Sequence, residues 1–427
     1  MSGAGILFFS FVFLLFLNVP IALGLGASAI IAMIVAELPL DLFPMTIYSG
    51  IGKFTLLAIP FFILAGNTMD KAGISDKLIN LANKAVGHKK GGLAIVCVIT
   101  SCFFAAISGS GPATVAALGV IIIPAMIKSG YEKNMSSALM ATAGSIGIII
   151  PPSIPFVVYG AIAGVSIGKI FVAGIVPGLL MGSFLIIASL MIVKKQDIKQ
   201  QPKATLQEVW KAFVDAVWGL MMPVIILGGI YGGFFTPTEA AAVAAVYGIL
   251  VGMFIYKKIT LKNLYELLSE SAMGSAVVMF IVACASFFAW FVTTEGIADM
   301  AAQFLLQVSG SKIMFLLIMN VILLIAGCFL DATSALYIFT PIMLPVALKL
   351  GYDPVLLGVV MTVNLAIGLV TPPVGIDLYV ACGIAKINLK EISKGVIPFV
   401  FASIIALLLT TYIPQIALFL PTVLGIK

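Results

Sequence analysis

Four short stretches carry the residue types able to do chemistry in this otherwise apolar chain of 427 residues. Two are double prolines, Pro151 and Pro152 after Gly147, and Pro372 and Pro373 after Gly368. Two are polar turns, Ser108-Gly-Ser-Gly-Pro and Asp331-Ala-Thr-Ser. Proline lacks an N–H, so a helix running into these pairs leaves the carbonyls of Gly147 and Ile148, and of Gly368 and Leu369, without partners. At membrane depth such oxygens are tolerated only where they line a protein cavity, and they suit a hard, weakly bound cation such as Na+. Ser108, Ser110, Ser145 and Ser153 can add oxygens in the first half, and Asp331, Thr333, Ser334, Asn364 and Thr371 in the second.

Asp331 is the most demanding of these. An unpaired carboxylate at membrane depth costs at least ~2.5–3.5 kcal/mol, so it needs a cation or a proton. Helix starts at Pro112–Thr114 and Thr333–Ser334 turn partial positive charge toward the space between the two turns, where an organic anion can bind. All 23 basic residues are Lys, so no guanidinium fork exists to clamp a carboxylate. Recognition must then use backbone N–H groups, hydroxyls, amides and bound Na+. Thr114, Ser153, Thr333, Ser334 and Asn364 are the candidate substrate contacts. Glu239 opens a helix and either caps it or serves a domain contact, and Asp377 is either a ligand or a helix-start charge. The single histidine, His88, sits in a Gly-His-Lys-Lys turn, and the five cysteines lie in apolar runs without ligand-like spacing. No catalytic triad, zinc site, disulfide framework or nucleic-acid surface can be assembled from them.

These residues must be positioned by helices in lipid. With 62% hydrophobic and 9% charged residues, the chain is an all-α polytopic membrane protein, and its runs lack the alternation of a β-barrel. Nine crossings are expected, at 6–36, 51–69, 135–160, 170–193, 216–235, 238–256, 272–293, 355–382 and 396–420. The runs 91–107 and 112–127 are too short to span and meet at Ser108–Pro112, which predicts a re-entrant hairpin; 312–328 and 334–348 repeat it. The first run lacks a basic lead and continues too far for a cleaved signal, so Met1 is expected to begin the mature chain. With a cytoplasmic N-terminus, every lysine except Lys53, Lys169, Lys312, Lys349 and Lys427 falls inside, as the positive-inside rule requires.

An offset of 221 residues superposes Pro124, Gly130 and Tyr131 on Pro345, Gly351 and Tyr352, and Gly147, Pro151 and Pro152 on Gly368, Pro372 and Pro373. Residues 124–177 match 345–398 at 12 of 54 positions. Pro20 has a counterpart in Pro237. The crossing at 216–235 has no partner, so the second copy is expected upside down. This gives a first inverted repeat at 1–193, a cytoplasmic linker and unpaired helix at 194–235, and a second repeat at 236–427. Inverted repeats with interrupted helices are a transporter signature.

Ser108-Gly-Ser-Gly-Pro-Ala-Thr, Gly147-Ile-Ile-Ile-Pro-Pro-Ser, Thr236-Pro-Thr-Glu-Ala-Ala-Ala and Gly368-Leu-Val-Thr-Pro-Pro-Val-Gly together resemble the large membrane subunit of tripartite ATP-independent periplasmic (TRAP) transporters. The resemblance covers essentially the whole chain. It implies an elevator-type architecture of the ion-transporter superfamily, a bacterial inner-membrane location, a separate small four-helix membrane subunit, and a periplasmic substrate-binding protein that captures an organic acid. It also implies one Na+ site at Ser108, Ser110, Gly147 and Pro151, and another at Gly327, Asp331, Thr371 and Pro372. Overall likeness leans to sialic acid over C4-dicarboxylates as the solute. A stand-alone Na+/dicarboxylate symporter shares the hairpins and breaks but needs no soluble receptor.

Overall fold

The computed structural model describes residues 3–194, 198, 200 and 202–426. Met1, Lys195, Lys199 and Lys427, used in the expectations above, lie outside the described residues. Within them every regular element is helical.

The first expected crossing, 6–36, is two helices: α1 (Gly3–Phe16) and α2 (Ile21–Val35). Asn18 turns left-handed at φ 61, and Val19 N–H donates to Leu14 O at 3.1 Å, closing the first helix. Pro20 then starts the second, because its ring cannot continue a helix but fits just before one. The chain reverses, so a Cβ on Gly24 would lie 3.6 Å from the Phe11 ring. A single crossing is therefore replaced by an antiparallel pair.

The helices α3 (Leu42–Ile51) and α4 (Ala58–Lys71) follow, with a 60° bend between Leu42–Ile51 and the segment Phe54–Lys71. Amphipathic α5 (Ile74–Val86) starts from left-handed Gly73 at φ 77. The first hairpin is α6 (Gly92–Ser108) and α7 (Gly111–Lys128). The first broken helix is α8 (Lys133–Ser145) and α9 (Ile154–Ala163), followed by α10 (Ile167–Val193). The second series runs α11 (Leu206–Tyr231), α12 (Pro237–Leu250), α13 (Leu261–Thr294) and amphipathic α14 (Ile297–Ser309). The second hairpin is α15 (Lys312–Gly327) and α16 (Ala332–Lys349), and the second broken helix α17 (Pro354–Gly368) and α18 (Ile376–Ala385). The last expected crossing, 396–420, is also divided, into α19 (Leu389–Tyr412) and α20 (Gln415–Val423) around Pro414.

Among the described residues seven helices are long and apolar enough to cross a membrane, or eight if the bent pair counts as one. In chain order α1 and α11 each precede a helix that Pro20 or Pro237 opens. The second copy is inverted relative to the first.

The 34-residue α13, ~51 Å long at ~1.5 Å per residue, shows this directly. Near its start Lys71 pairs with Glu270 at 3.6 Å. Past its end, Glu295 Oε2 lies 3.1 Å from where a Cβ on Gly3 would be. Helix α5 lies at the Lys71 end and α14 follows the Glu295 end, so the hairpins that come after them enter from opposite ends. Gly3 is at the Glu295 end, opposite Lys71.

Buried apolar side chains form one large core and a small separate cluster of Ala72, Ile259 and Leu267. At the centre of the large core stand the leading halves of the broken helices, with Met135–Ser145 of α8 and Val355–Gly368 of α17 buried throughout. Among the described residues two ion pairs join elements, Lys71 with Glu270 and Lys84 with Glu208, both exposed. Cohesion therefore comes from packing.

Candidate functional site

The first hairpin turns on Gly109, at φ 63, a conformation glycine adopts without steric cost. Ser110 then caps α7, its hydroxyl accepting from Ala113 N–H at 3.5 Å. Ser108 Oγ is 2.8 Å from Thr114 Oγ1, and Thr114 Oγ1 donates to Ser110 O at 2.7 Å. The tip is thus a compact cluster of three hydroxyls and a carbonyl.

The first break presses against it. Helix α8 tightens into a 3-10 turn at Ile146–Ile148 and unwinds until Ile154. A Cβ on Gly147 would stand 2.7 Å from Ser110 O and 2.8 Å from Thr114 Oγ1, and one on Gly109 2.8 Å from Pro152 O. The structure therefore brings Ser108, Ser110, Thr114 and Gly147 together, with Pro151 buried in the same loop. The Pro151–Pro152 and Pro372–Pro373 bonds are both cis.

The second half repeats the arrangement. A Cβ on Gly327 would stand 3.0 Å from the Gly368 Cα, so the end of α15 crosses the second break backbone to backbone. Gly375 N–H donates to Cys328 O at 3.4 Å. Asp331 caps α16, accepting from Ser334 N–H at 3.1 Å and from Ser334 Oγ at 2.5 Å. Thr333 is buried in the same first turn. Thr371 Oγ1 donates to Ile367 O at 2.6 Å, and Pro372 follows it in the unwound loop.

Several oxygens that proline releases are already engaged. Ser153 Oγ donates to Ile148 O at 2.5 Å and accepts from Phe156 N–H, capping α9. Thr371 N–H donates to Gly368 O, and Asp377 N–H to Leu369 O, each at 3.0 Å. Ser145 Oγ donates to Thr142 O at 2.9 Å, within its own helix. Backbone and side chains thus satisfy part of what a cation alone was expected to satisfy.

Asn364 sits elsewhere. Its amide donates to Asn320 Oδ1 at 2.8 Å, and Asn320 donates to Thr411 Oγ1 at 3.2 Å, tying α17 to α15 and α19 inside the core. Glu239 accepts from Thr236 N–H at 2.7 Å in a capping box, which is the helix-start role.

Two features were not specified by the sequence, the isolation of Asp377 and the approach of α4. Asp377 is 0% exposed, and neither carboxylate oxygen has a hydrogen-bond partner among the described residues. Its Oδ2 lies 2.8 Å from where a Cβ on Gly111 would be, between the starts of α7 and α18. The second feature is α4. Gly66 abuts the Ser108 backbone, a Cβ there lying 3.2 Å from Ser108 Cα. Asn67 and Asp70 line a cavity of about 240 Å³ with Ser108 and Ser110. The available signal was the polar pair Gly66-Asn67 inside an apolar run.

Comparison with known proteins agrees with these features. The family described as "Tripartite ATP-independent periplasmic transporter, DctM component" matches residues 8–416. The chain is 47% identical over 416 residues to the isethionate TRAP transporter permease protein DctMQ of Oleidesulfovibrio alaskensis, covering 97% of this chain and 66% of that one. It is 40% identical over 438 residues to the C4-dicarboxylate TRAP transporter large permease protein DctM of Rhodobacter capsulatus, covering 99% and 100%. The sialic acid TRAP transporter large permease protein SiaM of Vibrio cholerae is 37% identical over 414 residues, covering 97% of each. Among solved structures, the YdaH transporter of Alcanivorax borkumensis shares the fold, with a TM-score of 0.63 over 90% of this chain and 89% of that one at 13% identity. The chain belongs to the DctM component family of tripartite ATP-independent periplasmic transporters.

Proposed function

We propose that this large permease subunit couples inward Na+ flow to uptake of a small organic acid delivered by a periplasmic binding protein, in complex with a small membrane subunit. The observation that carries the reading is the paired contact of each break with a hairpin tip, Gly147 against Ser110 and Gly327 against Gly368. Each contact gathers backbone oxygens and hydroxyls suited to a monovalent cation. Ser108, Ser110, Gly147 and Pro151 form the first site, and Gly327, Asp331, Thr371 and Pro372 the second. The acid binds between the tips, near Thr114, Ser153, Thr333 and Ser334. Asn364 supports the hairpin from within the core.

The hairpins and broken helices α6–α9 and α15–α18 move as one body, elevator-fashion, against a frame containing α4, α12 and α13. In the chain, repeats at 1–193 and 236–427 flank the linker region 194–235. With the lysine-rich face in the cytoplasm of a bacterial inner membrane, the N-terminus is periplasmic. Each Na+ entering down a potential can contribute ~2.3 kcal/mol per 100 mV. The relatives' names join isethionate, C4-dicarboxylates, 2,3-diketo-L-gulonate and sialic acid, which share an acidic group. The sialic acid relative is less similar than the isethionate and dicarboxylate ones, so the solute is an organic acid of this broader class.

The test is uptake into liposomes holding this chain and its small membrane partner, with receptor outside. Uptake of a receptor-bound acid should require an inward Na+ gradient and both partners. Transport indifferent to Na+ would overturn the reading, and uptake by this chain alone would favour a receptor-free symporter.

A further inference from the structure

We propose that Asn67 and Asp70 on α4 form the fixed wall of the substrate site and admit a singly charged acid in preference to a doubly charged one. This deepens, and rests on, the uptake reading above.

The cavity at the first hairpin tip has two sides. Ser108 and Ser110 belong to the hairpin, whereas Asn67 and Asp70 belong to α4. Helix α4 is anchored away from the hairpin, since Asn67 donates to Ser271 Oγ of α13 at 3.0 Å. Asn67 is half-buried and one helical turn before exposed Asp70, so both project toward the same side. A second cavity of about 450 Å³ continues from Asn67 and Asp70 to Ser75 and Asp76. Together they make one groove from the hydroxyl cluster to the lysine-rich end of the protein.

The charge along this groove is one-sided. Asp70 and Asp76 line it, and among the described residues no lysine does. The lysines next to them in sequence are engaged elsewhere, Lys71 with Glu270 at 3.6 Å and Lys77 over the Tyr256 ring at 4.6 Å. Asp70 itself accepts only a neutral donor, Ser75 Oγ, at 2.7 Å. An acid leaving the hydroxyl cluster therefore passes a carboxylate with no cation beside it. A monoanion meets one unit of repulsion there and a dianion two. The Asn67 amide and the serine hydroxyls offer neutral donors, which suit one acidic group and a hydroxyl.

The test uses the full chain with its small membrane partner in liposomes, receptor outside and an inward Na+ gradient imposed for uptake, its five native cysteines replaced and Asn67→Cys introduced. Labelling rates are measured with an anionic and a cationic methanethiosulfonate, then again with isethionate or succinate present. Relative to a free thiol, the cationic reagent should be favoured roughly tenfold, and Asp70→Asn should remove most of that preference. Isethionate should protect better than succinate at equal concentration, and Asp70→Asn should equalise them. A cysteine that neither reagent reaches, a charge preference that survives Asp70→Asn, or equal protection with Asp70 intact would overturn the proposal. If the cysteine-replaced chain fails to fold, the native-cysteine chain decides: Asp70→Asn must raise succinate uptake relative to isethionate, and an unchanged ratio overturns the proposal. A complex that labels as expected but moves neither acid supports the wall and counts against the uptake reading instead.

Discussion

Gly327 and Gly368 meet with no side chain between them, a Cβ on the first falling 3.0 Å from the Cα of the second. A hairpin arriving from one end of the protein thereby rests directly on the backbone of a broken helix. Gly147 and Ser110 do the same in the other half, so both candidate ion sites depend on a position where even a methyl group intrudes.

Gly147→Ala and Gly368→Ala should therefore each abolish Na+-dependent uptake and cost about 1–3 kcal/mol through overpacking. Gly383→Ala is the control, since nothing lies within 4 Å of its added methyl. Thermal unfolding of the purified variants should separate the two groups. Equal midpoints would mean that the break yields without cost.

Asp331 is both a helix cap and a candidate cation ligand, and two substitutions separate the roles. Asn also caps well, so Asp331→Asn should leave thermal stability near that of the parent while removing the stabilisation that added Na+ confers. Asp331→Ala should lose that response and a further ~1 kcal/mol of cap energy. A full Na+ response in Asp331→Asn would remove this carboxylate from the second site.

Among the described residues the fully buried Asp377 carboxylate accepts no hydrogen bond, so a neutral amide of the same shape relieves a desolvation cost. Asp377→Asn is expected to unfold at the same temperature as the parent or higher. Gly111→Ala, which drives a methyl toward that carboxylate, should unfold lower.

Asn364→Ala should leave the Asn320 carbonyl unpaired inside the core and cost about 1–3 kcal/mol. Uptake by the surviving protein should keep its KM, because the amide donates to Asn320 Oδ1 and Val360 O. A large rise in KM at unchanged stability would return Asn364 to the substrate site.

The antiparallel α1–α2 pair puts Gly3 beside Glu295. In intact spheroplasts a membrane-impermeant maleimide should label Gly3→Cys, and should reach Lys84→Cys only after lysis. The reverse pattern would invert the orientation.

The hairpins and breaks were legible because Pro and Gly act locally. Pro151, Pro152, Pro372 and Pro373 interrupt a helix whatever surrounds them, and the polar turns at Ser108 and Asp331 stand out from apolar flanks. The reversal at Asn18 was not, since one polar residue before Pro20 barely interrupts a long apolar run, and hydropathy records composition without direction. That one missed turn merged α1 and α2 into a single expected crossing. Asn364 and Asp377 show another limit. What they face, Asn320 and Gly111, is set by packing across the fold, which spacing along the chain does not encode.

The scarcity of ion pairs has a practical side. Lys71–Glu270 and Lys84–Glu208 are exposed, and such pairs contribute little. Replacing sodium chloride with potassium or choline chloride should thus empty the cation pockets while the helices keep their arrangement. Ion titrations can then be interpreted as occupancy, without a separate correction for partial denaturation.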